Sequence, residues 1–296
     1  MTKEAVGFVG LGLMGQGMAA NIVGKGWPLC VIGHRNRAPV DDLIARGATE
    51  AATLADLARM SRVIVLCLPG APEIEATIAA LRPGLSAGTV IVDCSTSDPT
   101  VTTRLAADLA GVGVDYADAP LSRTPKEAWE GALDCMVGAD KAVFDRVAPV
   151  IGAFAGKIVH IGAVGDGHRM KLLNNFLSLG YAAIYAEALA MATKVGISVD
   201  TFDSVIRGGR MDCGFYQTFM GYARDGDRNA HRFTLTNAFK DLRYVESMAN
   251  AAPVASHVAS AVKNSFGAAV AAGGTGPEDY IPHLVDFVAR ANGLAK

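Results

Sequence analysis

The sequence has little charge of either sign for its length of 296 residues. Lys and Arg together number 27 and Asp and Glu 29, so the net charge is −2, whereas hydrophobic residues make up 51%. A near-neutral balance argues against a nucleic-acid partner, which would require a concentrated basic face. The high apolar content excludes global disorder, and this length allows two domains of ordinary size.

Cysteine is also scarce, and no C-x-x-C or H-E-x-x-H pattern occurs. We therefore predict no metal site. The odd number of cysteines argues against a disulfide framework and favours buried thiols in a reducing, cytoplasmic compartment. The cysteines are Cys30, Cys67, Cys94, Cys135 and Cys213.

Two apolar stretches are poor candidates for membrane elements. Residues 6–14 contain three glycines and lack the basic flank of a signal peptide. Residues 172–195 include Asn174, Asn175, Glu187 and Lys194, which favours a buried helix over a membrane span. We therefore expect no membrane partner.

The first half of the chain alternates short β patterns with helical ones. Predicted strands are 6–9, 29–33, 63–68, 90–93, 115–117, 134–137 and 158–161, and predicted helices are 15–24, 40–46, 54–59, 73–81 and 99–110. The first four strands are almost continuously apolar, as expected for strands covered on both faces. This alternation predicts an α/β domain with a doubly wound parallel sheet, the Rossmann architecture.

The second half shows only helical patterns. Predicted helices are 170–195, 199–206, 237–250, 251–271 with Pro253 in its first turn, and 280–291. Glycines are frequent at 162–167, so we place the domain boundary there. The sequence thus predicts a cofactor-binding domain at 1–164 and an all-helical domain at 165–296.

A G-x-G-x-x-G motif follows the first predicted strand and opens a helix. Its residues are Gly10, Leu11, Gly12, Leu13, Met14 and Gly15. In this context the glycines permit a tight turn, close approach of a pyrophosphate, and packing of helix on strand. We predict dinucleotide binding, and the alternative is a simple glycine-rich turn.

The residues after the second strand bear on the choice of cofactor. An NAD site would place Asp or Glu there, but the chain has His34, Arg35, Asn36 and Arg37, so no carboxylate is available for the ribose hydroxyls. The two arginines match the geometry of a 2′-phosphate. We predict NADP, with NAD possible, and the alternative is two solvated loop arginines.

The long predicted helix carries Lys171 and two amides near its start. Lys171 and Asn175 are four residues apart and share one face, with Asn174 beside them. A lone Lys at a helix start is usually solvated, but three such groups on an apolar helix require partners or a function. We predict that Lys171 is a general acid and base, and that Asn175 orients Lys171 or the substrate.

With these residues in view, the sequence resembles the β-hydroxyacid dehydrogenases of the 3-hydroxyisobutyrate dehydrogenase and tartronate semialdehyde reductase type. The resemblance covers nearly the whole chain. Five motifs match in order, at 7–15 continuing through 18–21, 66–69, 93–96, 165–175 and 240–242.

The resemblance implies an NADP-linked oxidoreductase that interconverts a small anionic aldehyde or ketone and its hydroxy acid. It implies that Leu68 and Pro69 line the cofactor, that Thr96 lies near the nicotinamide, and that Lys240 touches the cofactor. It also implies a helical domain like that of 6-phosphogluconate dehydrogenase and a homodimer or homotetramer.

One loop departs from the family pattern D-A-P-V-S-G-G. Here Ser122 is kept, but Arg123 and Thr124 replace the two glycines. Together with Asn174, Asn175 and Ser178, this loop is similar to that of 3-sulfolactaldehyde reductases, and Arg123 is suited to an anionic substrate group.

Two other activities remain open at this stage. An imine reductase would share the glycine loop and the NADP signature, and Lys171 with two asparagines argues against it. A non-catalytic cofactor-binding relative would be expected to have lost Lys171.

Overall fold

The protein is described by a computed structural model covering residues 3–294. It divides into two compact units, Met1–Lys171 and Leu172–Lys296. The division falls inside one long helix, a few residues beyond the predicted boundary at 164/165.

Unit 1 is built on a sheet whose first six strands include the five that were predicted up to residue 118, whereas the third, Thr49–Glu50, was not predicted. They are β1 Val6–Val9, β2 Leu29–Val31, β3 Thr49–Glu50, β4 Val63–Leu66, β5 Val90–Asp93 and β6 Asp115–Asp118. They lie in the order β3-β2-β1-β4-β5-β6, each parallel to its neighbours. The strand order reverses between β1 and β4, which in such sheets is where ligands bind.

The rest of the sheet is not purely parallel, and here the prediction needs correction. Strand β7 (Leu121–Ser122) and strand β8 (Leu133–Gly138) form an antiparallel pair, and β8 also lies antiparallel to β6. Strand β9 (Ala155–Gly162) pairs in parallel with β8. Because β6 and β7 both lie antiparallel to β8, the chain reverses direction over residues 123–132, a connection shorter than the crossover of about a dozen or more residues that parallel strands need.

Helices cover both faces of the sheet. They are α1 Gly15–Gly24, α2 Ala38–Ala45, α3 Leu54–Arg59, α4 Ala71–Leu81, α5 Pro99–Ala110, α6 Pro125–Glu130 and α7 Lys141–Ile151. Helices α1, α2, α6 and α7 pack with Val63 and Val65 on one face, and α3, α4 and α5 pack with Ile64 and Leu66 on the other. Alternate residues of β4 thus serve two cores, which explains its continuously apolar sequence.

Helix α8 (Asp166–Lys194) runs from unit 1 into unit 2. In unit 2 it is followed by α9 Val199–Ile206, α10 Gly214–Ala223, α11 Leu235–Ala251, α12 His257–Ala271 and, after a 3₁₀ turn, α13 Leu284–Ala291. Within residues 3–294, α8 is the one helix whose length and composition would allow it to cross a membrane, and 44% of its apolar window is buried. Its buried residues Leu179, Ala182 and Leu189 belong to the core of unit 2.

Two local predictions were wrong. Pro253 lies outside α12, which begins only at His257, because α11 already extends to Ala251 and the chain must turn before the next helix. A residue before proline also avoids the helical region. Cys213 is exposed rather than buried and Cys67 is half-buried, while the other three cysteines are buried as expected.

Candidate active site

The glycine loop joins β1 to α1 and leaves one open position. Gly10 has φ +103°, and a Cβ there would lie 2.1 Å from the carbonyl oxygen of Cys67. A Cβ on Gly15 would lie 1.9 Å from the carbonyl oxygen of Gly10. At Gly12, by contrast, no atom of the described chain lies within 4 Å of the Cβ position, apart from Gly12 itself and its two chain neighbours. Gly10 and Gly15 therefore close the turn, and Gly12 faces space that a pyrophosphate can enter.

The N-terminus of α1 has no side-chain cap. Met14 occupies the N-cap position without a capping bond, and the first turn has no acidic residue. Leu11 and Met14 are half-buried, and Leu13 is 70% exposed. The first N–H groups and the dipole of such a helix attract an anion, so the loop fits the phosphates of a dinucleotide.

The turn after β2 is exposed, and one of its arginines is already paired. Arg37 binds Asp41 at 2.9 Å through Nη2, and binds Glu50 on β3 through Nη1. Asn36 accepts the backbone N–H of Ala38 at 3.1 Å, and His34 and Arg35 lie in the same exposed turn.

Glu50 places a carboxylate near the end of β2, where the sequence motif itself contains none. Its Oε1 lies 3.1 Å from the Cβ position of Gly33, at the end of that strand. Gly33 and Glu50 also line a cavity of about 330 Å³ together with Ile32, Ala51 and Ala52. Glu50 lies outside the sequence motif, and β3 places it beside the turn that follows β2.

The loops after β4 and β5 are tied together at the same edge of the sheet. The N–H of Leu68 donates to the Ser95 hydroxyl at 2.9 Å. Pro69 is exposed and Thr96 is half-buried. Because β1, β4 and β5 are adjacent and parallel, their carboxyl ends bring these loops beside the glycine loop.

The predicted substrate loop surrounds β7. Ser122 ends β7 in register with Asp134 on β8. Arg123 adopts φ +85°, which is strained for a residue other than glycine, and its Nε binds Asp134 at 3.0 Å. Thr124 donates both its N–H and its hydroxyl to Glu127, and these two residues form a capping box at the start of α6.

Lys171, Asn174, Asn175 and Ser178 all belong to α8, with Lys171 at the end of unit 1 and the others in unit 2. Lys171 is half-buried, Asn174 is exposed and Asn175 is buried. Ser178 donates to the Asn175 carbonyl at 3.1 Å, which is an ordinary helical contact.

Asp241 on α11 contacts two of the predicted site residues, Asn175 and Lys240. The Asn175 side-chain nitrogen donates to Oδ2 of Asp241 at 2.7 Å, and Lys240 lies 3.2 Å from Oδ1. Asp241 is 1% exposed. Asp241 belongs to the motif at 240–242, but no role was predicted for it from the sequence. An aspartate on a buried helical face is itself a signal of a polar partner, because a buried carboxylate requires hydrogen-bond donors.

Comparison with known families decides the wider identity. Residues 5–162 match the family model for the NAD binding domain of 6-phosphogluconate dehydrogenase. Residues 165–282 match the model for the NAD-binding domain of NADP-dependent 3-hydroxyisobutyrate dehydrogenase. The chain belongs to the β-hydroxyacid dehydrogenase family. It is therefore an oxidoreductase that uses a nicotinamide cofactor and acts on CH–OH donors, as predicted.

Individual members of this family are similar over most of the chain. A 3-sulfolactaldehyde reductase of Escherichia coli K12 is 30% identical and covers 99% of this chain and 98% of its own. A 2-hydroxy-3-oxopropionate reductase of the same organism is 34% identical over 69% of this chain and 70% of its own. A solved 3-hydroxyisobutyrate dehydrogenase from Salmonella typhimurium aligns with a TM-score of 0.82 and 26% identity, covering 96% and 99% of the two chains.

Proposed function

We propose that this β-hydroxyacid dehydrogenase uses NADP to interconvert a small anionic aldehyde or ketone and its hydroxy acid. The observation that carries the proposal is the pair Lys171 and Asn175, four residues apart on α8, with Asn175 held by the buried Asp241. When bound, the nicotinamide supplies the hydride for reduction. Lys171 donates a proton to the substrate oxygen during reduction and accepts it during oxidation.

Asn175 is suited to orienting rather than proton transfer. Its side-chain nitrogen is committed to Asp241, which fixes the direction of the amide. The amide oxygen is then an acceptor of defined direction for Lys171 or for a substrate hydroxyl. An orienting group of this kind raises the rate by holding the proton donor in the reactive geometry.

Arg123 is the candidate for the anionic end of the substrate. Its pair with Asp134 uses Nε, and the terminal Nη groups carry the donors suited to a carboxylate or sulfonate. Ser122, Thr124, Asn174 and Ser178 remain predicted substrate contacts, although Thr124 also caps α6. The likeness to a 3-sulfolactaldehyde reductase over nearly the full chain favours a sulfonate-bearing aldehyde as the second candidate substrate.

The NADP preference rests on Arg35 and Arg37. The ion pair of Arg37 with Glu50 opposes this preference, because a 2′-phosphate must compete with that carboxylate. The family model for NADP-dependent 3-hydroxyisobutyrate dehydrogenase supports it. We retain NADP as the proposed cofactor and expect Arg35 to make the main phosphate contact.

We further propose a cytoplasmic homodimer or homotetramer. Exposed apolar side chains lie along one face of α8, at spacings of three, four and seven residues, at Leu173, Leu177, Tyr181, Ile184 and Met191. An exposed stripe of this length is typical of an interface.

The direct test is oxidation of NADPH and NADH against a panel of small aldehydes. The panel contains succinic semialdehyde, glyoxylate, tartronate semialdehyde, methylmalonate semialdehyde and sulfolactaldehyde, with an uncharged aldehyde of similar size as control. We expect NADPH-dependent turnover of an anionic member and little of the control. A preference for NADH would overturn the NADP assignment, and equal turnover of the uncharged control would overturn the role of the anion.

A further inference from the structure

The N-terminus of α8 is closed by a carboxylate from another part of unit 1. Asp118, the last residue of β6, accepts the N–H of Gly165 at 2.6 Å through Oδ1 and the N–H of His168 at 2.7 Å through Oδ2. Asp118 is fully buried. Because the first N–H groups of a helix have no partners within it, two of these donors are satisfied by one side chain.

Two glycines leave room for this carboxylate. A Cβ on Gly138 would lie 2.6 Å from Oδ1 of Asp118, and a Cβ on Gly167 would lie 2.9 Å from Oδ2. Any larger residue at either position would push the carboxylate away from the helix. The fit between β6, β8 and α8 thus depends on small residues at both contacts.

The His168 side chain adds a second tie, towards the cofactor loops. Its Nε2 donates to the Ser95 carbonyl at 3.1 Å, and its Nδ1 lies 2.8 Å from the Thr102 hydroxyl. The Ser95 hydroxyl in turn accepts the N–H of Leu68. One fully buried imidazole therefore connects the start of α8 to the loops after β4 and β5.

Asp93 and Asp118 both lie near this imidazole. Asp93 is 3.9 Å from Nε2 and Asp118 is 3.9 Å from Nδ1. Burial raises the pKa of the Asp118 carboxyl, and His168 and the two backbone donors act in the opposite direction. The carboxylate thus remains in the apolar interior because donors surround it.

We propose that Asp118 is a positioning residue that fixes Lys171 through the start of α8. Lys171 follows His168 by three residues, about one helical turn. The chain after Asp118 leads within four residues to Ser122, so one strand end holds both the predicted substrate loop and the helix with the predicted acid. This inference rests on the proposed role of Lys171.

A proton donor is effective only when it is held in the correct position relative to the substrate. A displacement of about 1 Å in a catalytic group can cost about a hundredfold in rate, without any loss of ligand contacts. Freeing the first turn of α8 would allow Lys171 to occupy several positions, of which only some suit proton transfer. The glycine loop is formed by other residues and would be unaffected.

The test compares Asp118→Asn with Asp203→Asn in the full-length protein. Asp203 is also a buried aspartate, but it lies on α9 and accepts from Tyr216 and Arg207. We expect Asp118→Asn to lower kcat about 10- to 100-fold, with KM and the Kd of NADPH within about twofold of wild type. We expect Asp203→Asn to lower the unfolding midpoint and leave kcat within about twofold.

A second readout does not depend on activity. Hydrogen exchange should become faster in Asp118→Asn for the amides of residues 163–172 and stay unchanged in the glycine loop. If Asp118→Asn does not fold, Thr102→Val removes the hydroxyl that contacts His168 and that also donates to the Asp98 carbonyl at the start of α5, and it should show the same pattern at 163–172, more weakly.

The outcomes separate this inference from the proposed function. Wild-type exchange at 163–172 in Asp118→Asn, or an equal loss of kcat in Asp203→Asn, would overturn the positioning role and leave that of Lys171 standing. Full activity of Lys171→Ala would overturn the proposed function, while the exchange data would still show whether Asp118 holds α8.

Discussion

The N-termini of two helices in unit 1, α1 and α8, have opposite hydrogen-bonding surroundings. Helix α1 begins after glycines, has no side-chain cap and has open space at Gly12. Helix α8 begins against the buried carboxylate of Asp118, which takes two of its N–H groups. An exposed N-terminus can bind a phosphate, whereas one satisfied by the protein fixes the position of what the helix carries.

The glycine loop and the predicted substrate groups also differ in which atoms make their contacts. In the glycine loop before α1 the closest contacts are made by backbone atoms, namely the Cys67 carbonyl oxygen at Gly10 and the Gly10 carbonyl oxygen at Gly15. Around the predicted substrate groups, side chains are held in pairs, such as Arg123 with Asp134 and Asn175 with Asp241. Backbone groups are sufficient to bind a cofactor that is always the same. Selection among different substrates requires specific side chains.

The largest expected effect is a difference in stability between substitutions at Gly10 and at Gly12. Gly10→Ala should lower the free energy of unfolding by roughly 3 kcal/mol or more, because its Cβ would collide with the Cys67 carbonyl oxygen at a positive φ. Gly12→Ala is the matched control, and it should leave stability within about 0.5 kcal/mol. Thermal and denaturant unfolding measure both, and equal losses would contradict the division between closing and open glycines.

Arg123→Gly should act oppositely on stability and on substrate affinity. Glycine relieves the strained φ of +85°, so stability should not fall, whereas loss of the guanidinium should raise KM about 10- to 100-fold. Steady-state kinetics with the anionic substrate measure this change. Arg123→Lys keeps the charge and should recover part of the loss, and an unchanged KM in Arg123→Gly would contradict the anchoring role.

Gly12→Ala should also weaken the cofactor while the fold is kept. A methyl group would enter the open space where the pyrophosphate is expected, so the Kd of NADPH should rise about tenfold. Fluorescence titration of NADPH measures it. An unchanged Kd would show that the phosphates do not approach Gly12.

The smallest expected effect concerns cofactor choice. Glu50→Gln removes the negative charge that holds Arg37, so the Kd of NADPH should fall about two- to fivefold, while that of NADH changes less. Asp41→Asn removes the other partner, which is more exposed, and should act more weakly. An effect of equal size on both cofactors would contradict a role for Arg37 at the 2′-phosphate.

Features coded by contiguous residues were predictable from the sequence. The glycine motif, the helix Pro99–Ala110 and the apolar strands of the parallel sheet are local patterns, and the structure confirms these elements. The same holds for the spacing of Lys171 and Asn175, since both lie on one helix.

Contacts between distant parts of the chain were not predictable. Glu50, Asp118, Asp134 and Asp241 each meet their partners through strand or helix packing, and no spacing rule gives that pairing. The short elements β3 and β7 and helices α7 and α10 also escaped prediction. Helix α6 had a usable signal, because Thr124-Pro125 with Glu127 three positions after Thr124 is a capping box.

Lys171 is the proposed proton donor and acceptor, and Lys171→Ala tests this role most directly. With the aldehyde that wild type reduces, the variant should lose about 10²- to 10⁴-fold in kcat while the Kd of NADPH stays within about twofold. Added primary amines should restore part of the rate if only the proton donor is missing. Turnover of Lys171→Ala equal to wild type would contradict the account.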